Sequence, residues 1–303
     1  KKNDKYSLFF VHNRLEILDI SDGKQPMLSK DGRYVVIFNG EIYNFVELRK
    51  ELEEFGHIFE SDHSDTEILI HGYKQWGENL SLHLNGMWSF CIFDNKENKL
   101  FLSRDRFGEK PLFYYYENKT LVFASELSAI TKLIKNHKLE NSNLKKYCAY
   151  GYFPFNLTPY KNIFKLQGGH NIIVDLIKMS MKNKKYWKYE IEPDYSKNED
   201  QWSKILYELI NESVKKRLVA DVPVGVFLSG GLDSSIISLL AKKNLKGELN
   251  TFSINFSENS FDESYYSNYL SNKIGSNHHH QTIGFNNMEG ICNELFTKID
   301  EPL

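Results

Sequence analysis

Short runs of hydrophobic residues in the first third of the chain predict a set of antiparallel strands. Tyr34–Phe38 is an apolar run typical of a buried strand, and Asn39-Gly40 after it predicts a turn. Looser alternation over Met87–Asp94 predicts a half-buried strand, followed by a turn at Asn95–Asn98. Lys99–Ser103 is predicted to pair back on this strand as a hairpin, and Leu112–Tyr116 and Leu121–Ala124 are predicted to form a second hairpin.

Two helices are predicted among these strands from hydrophobic positions three and four residues apart. Each opens with the pattern of a capping box, Asn44-Phe-Val-Glu47 in the first and Ser64-Asp-Thr-Glu67 in the second. The first helix is expected to end at Gly56 and to bury a face made of Phe45, Leu48, Leu52 and Phe55. The second carries Ile68, Leu69 and Tyr73 and is expected to end at Gly77. This part of the chain is therefore predicted to be α+β.

The middle of the chain, from about residue 130 to 200, gives weaker signals. Ser142–Tyr150 predicts a helix, and Ile163–Val174, which contains Gly168-Gly169, predicts a hairpin. The polar, lysine-rich stretch Lys182–Asn198 is interpreted as a linker or a long surface connection.

From about residue 200, helices and strands are predicted to alternate. The predicted elements are a helix over Trp202–Leu218, a strand at Val224–Leu228, a helix at Asp233–Lys243, a strand at Leu249–Phe256, a helix at Asp262–Ile274 and a strand beyond Asn277. Strict alternation of this kind is typical of a parallel, doubly wound α/β sheet.

Composition narrows the class of protein further. A chain of 303 residues has a prior of about two domains. Its net charge of −2 argues against a general binder of nucleic acid or of anionic membranes. We find neither an apolar run long enough to span a bilayer nor a secretion signal. Three scattered cysteines suit neither a disulfide scaffold nor a zinc site, so a cytoplasmic location is expected.

The most distinctive motif is a glycine- and serine-rich loop between a predicted strand and a predicted helix. It consists of Ser229, Gly230, Gly231, Leu232, Asp233, Ser234 and Ser235. Glycines allow a close backbone approach to a ligand, and the amides at a helix N-terminus favour an anion. The loop lacks both the Walker pattern and Gly-x-Gly-x-x-Gly, so neither a P-loop NTPase nor a dinucleotide site is indicated. The alternative is an ordinary turn capped by Asp233 or Ser234.

Several motifs together resemble a known family. The loop resembles the PP-loop of ATP pyrophosphatases, which split ATP between its α and β phosphates. In the first part, D-G-x-Q-P (22–26), N-G-E-I-Y-N (39–44) and R-D-R-F-G-E-K-P-L (104–112) resemble the glutaminase domain of class II glutamine amidotransferases. With V-P-V-G-V-F-L-S-G-G-L-D-S-S (222–235) and D-E-P-L (300–303), nearly the whole chain resembles the asparagine synthase (glutamine-hydrolysing) family.

This resemblance implies a fold and a domain division. It implies an αββα, Ntn-hydrolase-like amidotransferase domain over residues 1–180, and a PP-loop ATP-binding domain with a doubly wound parallel sheet over residues 199–303. The first methionine is Met27, and the sequence stops at D-E-P-L without a closing pattern. We therefore expect a piece of a longer protein, truncated at both ends.

The resemblance also implies a glutamine site. A guanidinium suits the α-carboxylate of glutamine, carboxylates suit its α-ammonium, and a tetrahedral oxyanion needs preorganised donors. The implied binding residues are Arg14, Leu15, Glu16, Ile17, Leu18, Asn39, Gly40, Glu41 and Asp65, of which Asn39 and Gly40 form the oxyanion hole. Taken singly, each has a structural explanation: a turn for Asn39-Gly40, a helix cap for Asp65 and a surface ion pair for Arg14.

In the second part, the resemblance implies that the seven loop residues bind ATP. Asp233 would hold Mg²⁺ or hydrogen-bond the loop, and main-chain groups of Leu228 and Ile254 would contact adenine. For Leu228 and Ile254 the alternative is core packing.

The implied activity is ATP-driven adenylation of aspartate followed by amidation with ammonia released from glutamine. The substrates are L-glutamine, L-aspartate and ATP; neither nucleic acid nor a membrane is an expected partner, and a homodimer is left open. Two alternatives remain at this point, an amidotransferase for a sugar acceptor of a surface polysaccharide and a nucleotide-binding module without glutaminase activity.

The family's nucleophile is an N-terminal cysteine, and Lys1 is not one. Cys91, Cys148 and Cys292 are interpreted as small buried residues, so the chain as it stands is not expected to hydrolyse glutamine by the family mechanism. His278-His279-His280 is interpreted as part of a strand rather than as a metal site.

Overall fold

A computed structural model describes residues 6–257, 262–284 and 288–301 of the chain. Lys1, Pro302 and Leu303, which belong to the motifs and expectations above, lie outside the described residues. The chain divides into two compact units, one of residues 1–190 with 300–303 and the other of residues 191–299. Among the described residues, no helix is both long enough and apolar enough to cross a bilayer.

The first unit contains two antiparallel sheets. The larger has the strand order β1 (Met27–Leu28), β2 (Tyr34–Ile42), β3 (Gly86–Asp94), β4 (Lys99–Arg104), β8 (His170–Asp175) and β9 (Ser180–Lys185). The smaller has the order β6 (Thr120–Ala124), β5 (Phe113–Glu117) and β7 (Ile163–Lys165). The helices of this unit are α1 (Phe45–Glu54), α2 (Asp65–Trp76), α3 (Leu80–His83), α4 (Leu127–Leu133) and α5 (Asn141–Tyr150).

Three hydrophobic clusters separate four layers in this unit. In the first cluster, Leu48 of α1 and Ile68 of α2 pack with Phe38 and Phe90 of the larger sheet. The second cluster fills the space between the two sheets, and the third packs α4 against the smaller sheet. The order of layers is therefore helix, sheet, sheet, helix. Because both faces of the larger sheet are covered, β3 is buried on both faces from Trp88 to Asp94, and its predicted half-burial was wrong.

The predicted turn at Asn39-Gly40 was also wrong, since both residues continue β2. Asn39 lies opposite Ser89, and Gly40 lies opposite Trp88. A Cβ on Gly40 would lie 2.1 Å from the carbonyl oxygen of Met87, so glycine here permits close strand pairing.

Both predicted helices begin where expected, but neither capping box forms. The Asn44 side chain instead accepts from the Asn85 N–H at 2.8 Å and donates to the His83 carbonyl at 3.0 Å. Glu67 instead accepts from the N–H groups of Glu60 and Ser61. In both cases the side chain stabilises a neighbouring loop rather than its own helix end. Phe55 follows the last residue of α1 and is 55% exposed, so it is not part of the buried face.

Two further predictions in the middle of the chain were wrong. Ile163–Val174 is not a hairpin, because β7 pairs with β5 in the smaller sheet while β8 pairs with β4 and β9 in the larger one. Lys182–Asn198 does not begin as a connection, because its first four residues lie in β9 and the compact unit continues to Glu190. The helix predicted at Ser142–Tyr150 is confirmed as α5.

The second unit has a sheet of three parallel strands, as predicted for alternating helices and strands. The strands, in spatial order, are β10 (Gly225–Phe227), β11 (Asn250–Phe256) and β12 (Asn277–Ile283). The helices are α6 (Glu199–Arg217), α7 (Leu232–Asn244), α8 (Ser264–Ile274) and α9 (Met288–Lys298). Val214, Leu240, Ala241 and Leu249 form the buried cluster of this unit. The predicted helix at Asp262 begins two residues later, and the Asp262 carboxylate accepts from the Ser264 N–H at 3.2 Å.

Candidate functional site

The first unit contains a cavity of about 410 Å³ at the end of β2. Its lining comes from the loop before β1, from β2, from the start of α2, and from the segments that follow β4 and β6. The lining includes the polar and charged side chains of His12, Arg14, Asn39, Glu41, Asp65 and Lys110. Residues distant in the sequence therefore meet around a single space of the size that small ligands occupy.

Strand geometry explains why Asn39 and Glu41 both reach this cavity. Successive side chains of a strand point to opposite faces. Val36 and Phe38 face the helices, whereas Val35 and Ile37 face the second sheet. Asn39 and Glu41 continue the Val35 and Ile37 series, and both line the cavity at the point where the cover of the second sheet ends.

Arg14 is held in place by its own loop and keeps one donor free for a ligand. Its Nη2 donates to the carbonyl oxygens of Leu18 and of Asp19, the latter at 2.9 Å. Its Nη1 is buried and has no hydrogen-bond partner within the described part of the chain. A Cβ on Gly23 would lie 2.1 Å from Nη2, so the glycine of the D-G-x-Q-P motif makes room for the guanidinium. A buried, unsatisfied guanidinium nitrogen in a cavity is well suited to a carboxylate.

Glu41 and Asp65 form a pair of carboxyl groups in the same cavity. Asp65 is buried at the first turn of α2, and its Oδ2 accepts from the Ile42 N–H at 3.1 Å. Burial, and after it the neighbouring Asp65, raise the pKa of Glu41 to about 8. Burial also raises the pKa of Asp65, to about 6, although backbone N–H donors oppose this shift. The pair therefore shares a proton near pH 7 and can ionise fully when a cation binds.

The side-chain amide of Asn39 is oriented by Ser125, another residue that lines the cavity. Its Nδ2 donates to Ser125 Oγ at 3.3 Å. The Gln25 side chain bonds both the N–H (2.6 Å) and the carbonyl (3.0 Å) of Phe38, which fixes the backbone just before Asn39. His12 Nδ1 is a further buried nitrogen without a partner among the described residues, and burial lowers the pKa of His12.

All but one of the predicted glutamine-binding residues line this cavity. Arg14, Leu15, Ile17, Leu18, Asn39, Gly40, Glu41 and Asp65 are brought together, whereas Glu16 lies outside the lining. Lining residues that the sequence reasoning did not single out include His12, Lys110, Ser125 and Glu126. Lys110 belonged to the quoted motif R-D-R-F-G-E-K-P-L, to which no role was attached.

In the second unit, the glycine- and serine-rich loop joins β10 to α7 as the sequence predicted. Ser235 Oγ and Ser234 Oγ donate to the Gly231 carbonyl at 2.7 and 3.1 Å, and Ser229 Oγ accepts from the Gly231 N–H at 3.3 Å. Gly230 has φ +89°, and a Cβ there would lie 2.7 Å from Tyr266 Cβ on α8. The loop therefore requires glycine for its conformation and for its packing against α8.

Leu228 and Ile254 lie beside this loop, as the register of the strands shows. The Leu228 N–H donates to the Phe252 carbonyl at 2.8 Å, so this group continues the ladder. Phe227 pairs with Phe252, so Ile254 lies two residues beyond the last residue of β11 that pairs with β10. Asp233 lies in the first turn of α7 and is exposed.

Neither the cysteines nor the histidine run belongs to the lining of the cavity or to the glycine- and serine-rich loop. Cys91 is fully buried next to the Asn39 end of β2, and burial raises the pKa of its thiol, which disfavours the reactive thiolate. Cys148 is exposed rather than buried as predicted, and Cys292 is half-buried on α9. His278-His279-His280 lies in β12, which confirms the predicted strand.

Comparison with known proteins finds two family matches, one after the other along the chain. Residues 3–187 match the family described as a glutamine amidotransferase domain, and residues 206–303 match the one described as asparagine synthase. A putative asparagine synthetase (glutamine-hydrolysing) 2 of Methanocaldococcus jannaschii is 36% identical over 98% of this chain and 60% of its own length. Asparagine synthetase (glutamine-hydrolysing) 3 of Bacillus subtilis is 39% identical over 84% of this chain and 42% of its own length.

The chain therefore belongs to the glutamine amidotransferase family. The match to the family described as asparagine synthase follows in the same chain. The chain spans about half the length of these two curated relatives.

Proposed function

We propose that this chain acts as a glutamine-dependent amidotransferase of the asparagine synthase type. The first unit would bind L-glutamine and, together with the N-terminal cysteine that the resemblance implies, release ammonia. The second would bind ATP and activate aspartate. The observation that carries the proposal is the Arg14 Nη1, which has no partner among the described residues, in one cavity with the Glu41–Asp65 pair. This charge pattern complements the α-carboxylate and α-ammonium of an amino acid.

In the proposed complex, each group of glutamine has a partner in the cavity. The α-carboxylate accepts from Arg14 Nη1, and the α-ammonium lies against Glu41 and Asp65 after the pair has released its proton. The side-chain amide then reaches Asn39, whose amide N–H, together with the Gly40 N–H, stabilises the oxyanion of the tetrahedral intermediate. The attacking thiolate is assigned by the resemblance to an N-terminal cysteine, and the buried Cys91 does not fit that role.

The loop Ser229–Ser235 would bind the phosphates of ATP. The N-terminal amides of α7 and the serine hydroxyls supply donors, and the dipole of a 13-residue helix favours the anion. Mg²⁺ is usually held by one or two carboxylates together with substrate phosphates, so the exposed Asp233 fits such a role. Main-chain groups of Leu228 and Ile254 would contact adenine, and the sheet would be doubly wound.

The proposed reaction explains why the two functions share a chain. Attack of an aspartate carboxylate oxygen on the α-phosphorus of ATP forms aspartyl-AMP and releases pyrophosphate. Ammonia then attacks the acyl carbon, forming asparagine and releasing AMP. Without activation the carboxylate would resist the nucleophile, because it has no good leaving group.

The test is product formation by the purified protein with ATP, Mg²⁺, an ammonia source and either aspartate or a panel of amino sugars. We expect pyrophosphate and asparagine with aspartate only. Release of pyrophosphate with a sugar but not with aspartate would overturn the choice of acceptor.

A pair of matched variants tests the role of the loop. Asp233→Ala should abolish ATP-dependent turnover without changing glutamine binding. Asp200→Ala, in the first turn of α6, should change neither turnover nor glutamine binding. Unchanged turnover in Asp233→Ala would contradict the assignment of the loop.

Two expectations concern the molecule in the cell. We propose a cytoplasmic location and assembly as a homodimer. Light scattering on the purified protein, which reports the molar mass in solution, would contradict the homodimer if it gave the mass of one chain.

A further inference from the structure

Two buried side chains of opposite charge fix the loop that leads from β4 into the cavity. Asp105 is 1% exposed. Its carboxylate accepts four backbone N–H bonds at 2.9 to 3.2 Å, from Trp88, Phe107, Glu109 and Lys110. Such a carboxylate determines the path of the loop around it, because each N–H would otherwise be left without a partner.

Arg104 holds the same loop through its carbonyl groups. Its guanidinium donates to the carbonyl oxygens of Lys110 at 2.7 Å, Gly108 at 2.6 Å and Leu166. Lys110 is therefore fixed at both backbone groups, with its N–H bonded to Asp105 and its carbonyl bonded to Arg104. Residue 110 is the point on which both clamps converge.

The consequence of this clamping is the placement of a lysine beside the acid pair. The charged and titratable groups that line the cavity come from five segments: His12 and Arg14, Glu41, Asp65, Lys110, and Glu126. Two basic side chains therefore face three carboxyl groups, and burial lowers the pKa of His12. Removing the lysine would leave Arg14 alone to balance these acids.

We propose that Lys110 is a counter-ion of the glutamine pocket that helps Glu41 to ionise when the α-ammonium of the substrate binds, with Arg104 and Asp105 as positioning residues. The inference rests on the proposed function of the cavity. It gives the R-D-R-F-G-E-K motif a role, since the clamped loop delivers one charge to the pocket.

Electrostatics within the cavity support this role. Burial and Asp65 raise the pKa of Glu41, while the charges of Lys110 and then Arg14 lower it. Loss of the lysine would therefore favour the protonated pair, and glutamine would have to displace that proton in order to bind. The cost falls as the pH rises, because the pair then ionises without help.

The experiment is calorimetric titration of L-glutamine into the 303-residue chain at about pH 6.5 and about pH 8.5. Lys110→Met should weaken binding about tenfold at the lower pH and about threefold at the higher pH, as a rise of about one unit from a Glu41 pKa of about 8 implies. Lys110→Arg should restore the wild-type affinity at both values. Lys119→Met, in the exposed turn between β5 and β6, is the matched control and should behave as the wild type.

Asp105→Asn should reproduce the pH-dependent loss, because it weakens the clamp without deleting the lysine. If that variant does not fold, the two Lys110 variants decide the question alone. An equal loss at both pH values, or no loss, in Lys110→Met would overturn the inference while leaving the pocket assignment intact. Absence of glutamine binding to the wild type would instead contradict the proposed function.

Discussion

At the scale of single residues, the site depends on charges placed in a cavity where they are costly without a ligand. Arg14 Nη1 is buried without a partner among the described residues, and the Glu41–Asp65 pair holds a proton that an exposed pair would release. Unsatisfied groups of this kind reduce stability and become favourable only when a complementary ligand binds. This is the behaviour expected of a pocket for a zwitterionic amino acid.

The acid pair leads to a prediction about stability. The pKa of Glu41 is raised from its usual value of 4.5 to about 8 in the folded chain, so the folded state binds more protons than the unfolded state between these values. The contribution of Glu41 to the free energy of unfolding should therefore fall as the pH rises from about 4.5 to about 8. Glu41→Gln removes this loss. At about pH 8.5 it should raise the melting temperature by about 2–4 °C, for a gain on the order of 1 kcal/mol.

Thermal unfolding followed by circular dichroism checks this expectation, with Glu54→Gln at the exposed end of α1 as the control. The gain should shrink toward pH 4.5 and should be accompanied by weaker glutamine binding. A variant that is less stable than the wild type at about pH 8.5 would show that Glu41 is not a destabilising charge.

At the scale of elements, the motif glycines act by permitting close approach. Gly23→Ala would place a Cβ 2.1 Å from Arg14 Nη2 and must move the guanidinium away from the cavity. We expect glutamine affinity to fall about tenfold or more, the range for a lost hydrogen bond to a charged group. Calorimetric titration measures this, and the neighbouring Lys24→Ala should bind normally. Equal affinity in the two variants would show that Arg14 does not act through this position.

The glycine- and serine-rich loop Ser229–Ser235 leads to a similar prediction in the second unit. Gly230 combines φ +89° with a backbone that touches Tyr266, so Gly230→Ala strains the loop and pushes it from α8. Strain of about 1–3 kcal/mol corresponds to a loss of about five- to 150-fold in ATP affinity.

Equilibrium dialysis with ATP and Mg²⁺ tests that loss. Gly290→Ala on α9 is the control, because a Cβ there meets nothing within 4 Å. Wild-type ATP affinity in Gly230→Ala would contradict the assignment of the loop.

Elements also show what a sequence can and cannot predict. The predicted helix Asp233–Lys243 is observed as Leu232–Asn244, because a local amphipathic pattern and a glycine-rich start suffice to define it. Asn39-Gly40 is a turn by local preference, yet it continues β2, because pairing with Ser89 and Trp88 outweighs the local signal. Ile163 and Val174 fall in different sheets because strand pairing is not local.

The site residues show the same contrast between local motifs, which can be read from the sequence, and long-range contacts, which cannot. Arg14, Asn39, Glu41 and Asp65 could be picked out because each lies in a motif with matching chemistry. Ser125 could not, because its role depends on a contact with Asn39 across 86 positions of sequence. Lys110 lay within a quoted motif, but only the clamp by Arg104 and Asp105 indicates why it matters.

At the scale of the whole molecule, each compact unit carries one half of the proposed chemistry. The cavity lies within residues 1–190, and the glycine- and serine-rich loop lies within residues 191–299. Each site is built from residues of its own unit, so ligand binding at each can be measured separately. The length shared with the curated relatives, 60% and 42% of theirs, makes binding a more direct measurement than turnover.

Titration of L-glutamine into wild type and Arg14→Ala therefore tests the central claim most directly. We expect one molecule bound per wild-type chain, at least about tenfold weaker binding in Arg14→Ala, and normal binding in Arg217→Ala of the second unit. No binding to the wild type, or equal binding to the wild type and Arg14→Ala, would contradict the assignment of this cavity to glutamine.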